Sequence, residues 1–270
     1  MPAPVVKLTQ GIHVMHLFYR IDRAFWAEIT PGESENTRKR VEAVLAAYSQ
    51  PSHPNIRSYA NIGNKADLAF FLLSADLGEL GRMHRELEAC FPGGMLVPEF
   101  SYLSVTELPD YVSTDDDLKA MLARESVVPG HPQFEERFAA AQKRNLEYQH
   151  YRLYPELDDW EVMCFYPMSK KRNLEDNWYS LDFDVRKKLM AGHARTGRKY
   201  AGRISQLITG STGLDDWEWG VTLMAHQVDA VKEIIYEMRF DEVTARFGDF
   251  GPFYINLRLS PADLWEHLKL

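Results

Sequence analysis

The chain has 270 residues, of which 45% are hydrophobic, and this is enough for one large domain or two fused halves. Its net charge of −8 disfavours a general nucleic-acid binder, which is usually basic. No stretch approaches the ~20 apolar residues that span a bilayer, and the N-terminus lacks the pattern of a secretory signal. Cys90 and Cys164 make no disulfide framework, which predicts a reducing, cytoplasmic setting.

The first part of the chain alternates between strand and helix patterns. Alternating apolar residues predict a strand at IHVMHLFYR, and helical spacing predicts a helix over 34–50 with Ser34 as its N-cap. Two strands follow at RSYANIG and ADLAFFLLSAD, then a helix at about 78–91 and a strand at EFSYLSVTELPDY. The order is β-α-β-β-α-β, which is that of a ferredoxin-like unit.

A different segment follows, in which two helices are predicted on either side of the breaker PGHP. The β-α-β-β-α-β order then recurs, with helices at DVRKKLMAGHARTGRKY and AVKEIIYEMRF and a closing strand at PFYINLRL. Two such units predict an α+β fold, in which two ferredoxin-like halves form a pseudo-symmetric dimeric α+β barrel within one chain. The predicted divisions are an N-terminal half over 1–112, a helical connector over 113–156 and a C-terminal half over 157–270.

Charge is unevenly distributed along the chain. Residues 166–206 contain ten Lys or Arg and four Asp or Glu, a net of +6, so the remainder carries −14. A cationic segment in an acidic protein suggests a site for an anionic small molecule. The alternative is a solvated helix face that happens to be basic.

His193 is the first candidate ligand. Val185, Leu189 and His193 lie at i, i+4 and i+8 on one face of a predicted helix, and the small Gly192 beside the histidine leaves room for a flat ligand. The alternative is a core histidine that is hydrogen-bonded to a carbonyl.

Three further positions could line a pocket. Tyr166 ends a strand, with Lys170 shortly after it, although a solvated basic turn would give the same pattern. Gln206 lies between Ile204 and Ile208 on one strand face, where it needs hydrogen-bond partners that the backbone could supply. Trp217 and Trp219 are expected on the same face as Val221, lining either a cavity or an ordinary core. No zinc, HExxH, GxGxxG or P-loop pattern occurs.

Three long segments resemble the chlorite dismutase superfamily: YPMSKKRNLEDNWYSL, HARTGRKYAGRISQLITGSTGLDDWEWGVTL and YEMRFDEVTARFG. More narrowly, they are similar to coproheme decarboxylases of the Firmicutes type. The strong match covers about 152–253, and the N-terminal half matches in element order and in SYLSVTEL. The resemblance implies a homopentamer with one Fe-coproporphyrin III (coproheme) or heme b per subunit, bound in the C-terminal half.

The resemblance also assigns roles to residues. His193 matches the iron ligand, with Glu242 as a candidate acceptor for its second ring nitrogen, and Gln206 stands where chlorite dismutases have an arginine. Tyr166 matches a redox-active tyrosine and Lys170 a lysine near the reacting propionate. The other matched contacts are Arg152, Arg239 and Thr244 near propionates, Trp219 close to the porphyrin, Met168 and Arg198 near the pocket, and the region of Asp110 and Tyr111.

The resemblance implies a peroxide-dependent decarboxylation of two coproheme propionates to vinyl groups, giving heme b through a radical on Tyr166. The substrates would be coproheme and hydrogen peroxide, with a transient contact to the ferrochelatase that supplies coproheme. Two alternatives stay open. One is a chlorite dismutase, which the neutral Gln206 disfavours, and the other is a heme-binding or heme-delivery protein without turnover, which would not need Tyr166 and Lys170.

Overall fold

A computed structural model describes residues 4–270. The strands there are β1 (His13–Ile21), β2 (Asn55–Ile62), β3 (Leu68–Ser74), β4 (Leu96–Thr106), β5 (Val162–Lys170), β6 (Ile204–Gly210), β7 (Trp219–Ala225), β8 (Gly248–Phe250) and β9 (Tyr254–Arg258). The helices are α1 (Arg23–Trp26), α2 (Pro31–Ala47), α3 (Leu77–Glu88), α4 (Asp115–Ala123), α5 (Phe134–Leu153), α6 (Phe183–Arg198), α7 (Val228–Met238), α8 (Glu242–Phe247) and α9 (Pro261–Leu268).

The sheet closes into a barrel. Its strand order is β7-β6-β4-β1-β3-β2-β9-β5, with β5 also paired to β7 and with β8 added on β5. Strands β4-β1-β3-β2 come from the first unit and β9-β5-β7-β6 from the second, so each half has the ferredoxin-like order. The halves join at β4–β6 and at β2–β9. The prediction of a pseudo-symmetric α+β barrel is therefore confirmed.

Side chains from both halves fill the barrel. Phe18, Phe71, Phe165 and Met224 belong to one buried cluster inside it. Alternate residues of the strands point outward, towards the helices. Each half therefore has an outer sheet face with its own helices.

The outer face of the N-terminal half is covered by three helices. Helices α2 and α3 pack there, and the C-terminal helix α9 adds Leu264, Trp265 and Leu268 to the same buried cluster. Trp265 stacks on Phe91 at 6.0 Å between ring centroids. No apolar residue after 259 was assigned to an element from the sequence, so α9 was missed.

Helix α2 begins earlier than the sequence suggested. Thr30 is its N-cap and accepts a hydrogen bond from the Glu33 N–H, while the Glu33 carboxylate accepts one from the Thr30 N–H. This capping box places Pro31 in the first turn and Ser34 inside the helix, so the assignment of Ser34 as N-cap was wrong. The signal was present in the spacing of Thr30 and Glu33.

Helices α4 and α5 lie on either side of the breaker PGHP at residues 129–132, so the two helices predicted there are confirmed. Among residues 4–270, no helix has the length and apolar character needed to cross a membrane.

Candidate functional site

The outer face of the C-terminal half brings together residues from three strands. Tyr166 pairs with Val221, which pairs with Ile208, so these three form one row across β5, β7 and β6. Met168, Trp219 and Gly210 form the next row. Paired residues in an antiparallel sheet share a face, so both rows point the same way. This face is the floor of the candidate site.

Gln206 lies on the same floor, because it is two residues from Ile204 and two from Ile208 along β6, and every second residue of a strand shares a face. The tyrosine and glutamine stand two strands apart, which corresponds to about 10 Å. The Gln206 amide nitrogen lies 3.5 Å from the place that a Cβ on Gly197 would occupy, so it approaches α6. The floor thus meets the helix that carries His193.

Helix α6 forms the opposite wall. It packs against α7 and α8, approaches the floor where Gly197 lies beside Gln206, and has no buried residue over its whole span of Phe183–Arg198. Of the expected apolar stripe, Val185 is 44% exposed, while Leu189 packs beside the buried Trp178, Val243 and Phe247. Nothing lies within 4 Å of a Cβ built on Gly192. There is therefore open space beside position 192, next to His193.

His193 is anchored from behind by Asp241. Its Nδ1 lies 2.8 Å from Asp241 Oδ2, and Asp241 Oδ1 accepts a hydrogen bond of 2.9 Å from the Thr244 N–H. Partial burial raises the pKa of Asp241, but the hydrogen bonds from His193 and Thr244 outweigh it and hold this pKa below its usual value. Because an ionised carboxylate only accepts, Nδ1 donates in this hydrogen bond, and Nε2 is the ring nitrogen that a neutral imidazole would offer to a metal.

The acceptor expected for His193 was Glu242, and this was wrong by one residue. Glu242 is the first residue of α8 and accepts a hydrogen bond of 2.9 Å from Arg246. Asp241 is the N-cap of that helix. One carboxylate oxygen of an N-cap residue bonds the first turn of the helix, and the other is left for a neighbouring side chain such as His193.

Tyr166 is buried, with 6% of its surface exposed. Its ring stacks on Phe253 at 4.5 Å between centroids and is tilted against Phe250 at 5.7 Å. Burial raises the pKa of its phenol, which the nearby Cys164 reinforces and Arg239 opposes. Its hydroxyl makes no hydrogen bond to any described residue. The phenol is therefore neutral and available to a ligand.

Lys170 lies further along the same face of β5. Its side chain is mostly buried, with Nζ 4.8 Å from the centre of the Trp178 ring. Burial lowers the pKa of its ammonium to about 8, although Asp241 and Glu218 act in the opposite direction. The Glu218 carboxylate accepts a hydrogen bond of 2.7 Å from the Lys170 backbone N–H. Asp241 is thus within electrostatic reach of both His193 and Lys170.

Arg152 reaches the floor from α5, where its Nη2 donates to the carbonyl oxygen of Ile208 at 3.2 Å. Its Nε is buried and has no hydrogen-bond partner within residues 4–270. An unpartnered buried donor at this position is suited to an acceptor that a ligand supplies.

The remaining residues expected from the resemblance lie around the same site. Arg239 caps the end of α7, with its guanidinium 4.1 Å from the centre of the Phe250 ring. Thr244 is buried in α8 beside Asp241, and Met168 lies on the floor. Arg198 is at the exposed end of α6. Beyond Arg239 and Phe253, an apolar cleft of about 370 Å³ continues under α7, past Cys164.

Two residues depart from the sequence analysis. Trp217 precedes β7 and packs against the cluster inside the barrel, so it does not share a face with Trp219. Glu107, which had no assigned role, follows β4 and places its carboxylate over Gly210 on the site floor. A single acidic residue after a strand gives no sequence signal of such a position.

The arrangement offers one imidazole nitrogen, a neutral amide, a buried phenol and several cationic side chains around one cleft. Within the described part of the chain, no group of three or more His, Cys, Asp or Glu side chains could hold a metal ion. His193 could therefore provide one ligand to a metal whose other ligands would come from a bound molecule.

Comparison with known proteins agrees with this architecture. Residues 34–259 match the family model described as chlorite dismutase. A heme-binding protein from Thermus thermophilus is 34% identical, with a TM-score of 0.78, over 100% of this chain and 99% of that chain. The chlorite dismutase of Candidatus Nitrospira defluvii in complex with imidazole is 16% identical, with a TM-score of 0.71 over 97% of each chain, which shows the shared fold. The chain belongs to the chlorite dismutase family.

Proposed function

We propose that this protein is a peroxide-dependent coproheme decarboxylase, which converts two propionates of ferric coproporphyrin III to vinyl groups and yields heme b. The observation that carries the proposal is the placement of Tyr166 and Lys170 on the one sheet face that α6 and His193 overlie. A protein that only bound heme would need neither a buried, unpartnered phenol nor a mostly buried lysine there. The similar protein from Thermus thermophilus is described as heme-binding, which supports the porphyrin site itself.

The residues present fit an iron porphyrin. His193 faces Asp241 with Nδ1, which leaves Nε2 for a metal, α6 has no buried side chain, and Arg152 Nε has no partner among the described residues. Four propionates would meet the cationic side chains, of which Lys170, Arg152 and Arg239 lie closest to the floor. When bound, the iron porphyrin would supply the redox chemistry with peroxide, and the protein would hold and orient it.

The protein's own groups then have distinct tasks. His193 would hold the iron, and its hydrogen bond to Asp241 fixes the orientation of the imidazole. Gln206, on the floor, is neutral and can only donate or accept hydrogen bonds, whereas an arginine would attract an oxyanion such as chlorite. This difference favours the decarboxylase over the chlorite dismutase alternative.

Tyr166 is the proposed hydrogen-atom carrier. Because burial raises its pKa, the phenol keeps its proton until an electron is withdrawn, and it then loses both together. The resulting radical takes a hydrogen atom from the β-carbon of a propionate, carbon dioxide leaves, and one further electron is removed to form the vinyl group. Each propionate uses one peroxide, which is reduced to two waters with uptake of one proton. Lys170 stabilises the propionate carboxylate before it reacts.

The test is to add peroxide to the ferric coproheme complex and to follow the porphyrin mass. The proposal predicts the loss of two carboxyl groups through a singly decarboxylated intermediate. Tyr166→Phe should bind coproheme normally and form no heme b. Tyr200→Phe is a matched control, because Tyr200 lies in the same buried cluster but its hydroxyl donates to Glu237 at 2.8 Å.

Other outcomes would favour the alternatives. Binding without any change in porphyrin mass would favour the heme-binding or heme-delivery protein, and oxygen release from chlorite would favour the chlorite dismutase. Heme b formation by Tyr166→Phe at the wild-type rate would refute the role of the tyrosine.

The homopentamer, the transient contact with a ferrochelatase and the cytoplasmic setting remain proposals that follow from this function. Light scattering on the purified protein tests the first of them, and a mass corresponding to five chains is expected.

A further inference from the structure

Glu107 occupies an unexpected place on the site floor. It directly follows β4, and its carboxylate lies over Gly210, in line with Trp219 and Met168. A Cβ added at Gly210 would collide with this carboxylate, so the absence of a side chain at Gly210 leaves the room that the carboxylate occupies. The residue as a whole is exposed, which leaves the carboxylate accessible to a molecule bound on the floor.

The surroundings of this carboxylate come from several elements. Trp219 of β7 and Arg152 of α5 favour its ionised form, and Asp110 of the following loop repels it. Tyr102 of β4 is also within its electrostatic reach. Partial burial, with the repulsion from Asp110, raises the pKa of Glu107 in spite of Trp219 and Arg152.

An ionised acidic group is unfavourable at a place where several propionates should bind. Two carboxyl groups within hydrogen-bond distance cannot both be ionised without a large penalty, so one of them takes up a proton. A protonated carboxyl can then donate an O–H···O⁻ hydrogen bond, which is short and charge-assisted. Arg152, with its unpartnered Nε beside the same position, supplies the positive charge that the remaining carboxylate needs.

We infer that Glu107, seated on Gly210 beside Trp219 and Arg152, is a specificity-determining residue that binds one carboxyl group of the porphyrin as a neutral carboxylic acid. This inference rests on the proposed function, because it takes the floor as the porphyrin site. Binding of the porphyrin takes up one proton from solvent at Glu107, and the acid donates it in a hydrogen bond to the substrate carboxylate.

The linkage fixes the sign of the pH dependence. The pKa of Glu107 is raised in the free protein and rises further when the second carboxylate arrives. Affinity is therefore constant below the pKa of the free protein and falls as pH increases from that value to the pKa of the complex. Within this window the logarithm of the dissociation constant changes by up to about one per pH unit.

The experiment is a titration with ferric coproporphyrin III in the absence of peroxide, followed by absorption over a series of pH values. Wild type is compared with Glu107→Gln, Glu107→Ala, Asp110→Asn and Gly210→Ala. Calorimetry in two buffers of different ionisation enthalpy counts the protons that binding takes up. Comparing variants cancels the titration of the porphyrin, its iron and the other protein groups.

Glu107→Gln should take up close to one proton fewer than wild type and, at the high-pH end, bind on the order of tenfold more tightly, since its amide always donates. Glu107→Ala should lack both the pH dependence and the donor, and bind more weakly than Glu107→Gln at every pH. Asp110→Asn should keep the wild-type proton uptake. Gly210→Ala, whose methyl group displaces the carboxylate, should lose most of it.

Equal proton uptake by wild type and Glu107→Gln would overturn the inference, even if the enzyme decarboxylated coproheme. Glu107-dependent proton uptake without decarboxylation on adding peroxide would overturn the proposed function and leave the inference standing. Failure of wild type to bind coproheme would overturn both.

Discussion

Asp241 connects the residue that would hold iron to the start of a helix. It accepts hydrogen bonds from His193 and from the Thr244 backbone, so the imidazole is fixed to a rigid element. We expect Asp241→Asn to weaken coproheme binding by about 10- to 100-fold and to shift the ferric absorption spectrum, since the outer hydrogen bond sets the basicity of the ligand. Asparagine can still cap α8, so the fold should be retained.

The neighbouring Glu242 provides the matched control for this prediction. It carries the same charge one residue away but bonds to Arg246. Glu242→Gln should leave the spectrum and the affinity unchanged. An unaltered spectrum in Asp241→Asn would contradict the orienting role of Asp241.

Lys170 should reduce the stability of the free protein. Its pKa is about 8 in the folded chain against 10.5 in the unfolded chain, because burial disfavours the ammonium. We expect Lys170→Met to raise the free energy of unfolding at pH 7 by roughly 1–3 kcal/mol. Lys171→Met, at a half-exposed position, should change it by less than about 0.5 kcal/mol.

The increase in the free energy of unfolding that we expect for Lys170→Met depends on pH, and proton linkage gives the direction of that dependence. Between pH 8 and 10.5 the unfolded chain binds more protons at this lysine than the folded chain, so wild-type stability rises with pH in that window. The difference between Lys170→Met and wild type should therefore shrink as pH rises from 8 to 10.5. A constant difference in denaturant melts would show that the lysine is charged without penalty.

Sequence reasoning found the residues that have a local pattern. His193 could be placed on a helix face, and Tyr166 and Gln206 on strands. Asp241 and Glu107 were missed because their positions depend on contacts between elements: an N-cap beside α6 in one case and a glycine on a neighbouring strand in the other. A side chain that acts through a non-local contact leaves no periodic signal.

Among the long helices, α6 is the one without a buried side chain. No side chain of Phe183–Arg198 is buried, and its N-cap residue Asp182 makes no side-chain hydrogen bond to the helix start. Backbone hydrogen bonds of such a helix should open easily. We predict that coproheme binding slows amide hydrogen exchange over 183–198 by at least about tenfold, as measured by mass spectrometry.

Helix α2 is an internal control, because it holds the equivalent position in the N-terminal half and has a complete capping box. Its exchange should not change on binding. Equal protection of α6 with and without the ligand would mean that the helix is held by something other than the porphyrin.

The regular elements of both halves were predictable from apolar periodicity, because each buries one face against a sheet or a helix. The short α8 and β8 were not predictable from periodicity. Helix α8 is defined by its N-cap Asp241, and β8 is defined by its pairing with β5. Strand β7 also starts later than expected, at Trp219, which turns Trp217 into the barrel.

At the scale of the molecule, the barrel depends on two junctions between its halves. At β2–β9, Asn61 donates to the buried Asn256 at 2.8 Å, and Asn256 donates to carbonyl oxygens of Met163 and Tyr254. Asn256→Ala leaves these groups unsatisfied. We expect a loss of about 2 kcal/mol or more in the free energy of unfolding.

Urea unfolding followed by tryptophan fluorescence and by circular dichroism tests this prediction. The two signals should coincide, because the halves share one interior. Asn36→Ala, at an exposed position of α2, should stay within about 0.5 kcal/mol of wild type. Separate transitions for the two halves would contradict a barrel that unfolds as a unit.

The repeated element order was enough to predict the pseudo-symmetric barrel. The junctions were not predictable, because β4 and β6 meet through only Val105, Thr106 and their partners at the strand ends. The packing of side chains from both halves inside the barrel decides which strands pair across the halves. These contacts join residues far apart in the sequence, so no local pattern predicts them.

A duplicated fold offers two symmetry-related clefts, one between each sheet and its helices. In the second half this space lies between the site floor and α6. In the first half the last helix of the chain packs Trp265 against Phe91 and fills the space beside the sheet. Under the proposed function, the C-terminal helix would therefore limit each chain to one porphyrin and leave the first half as a scaffold.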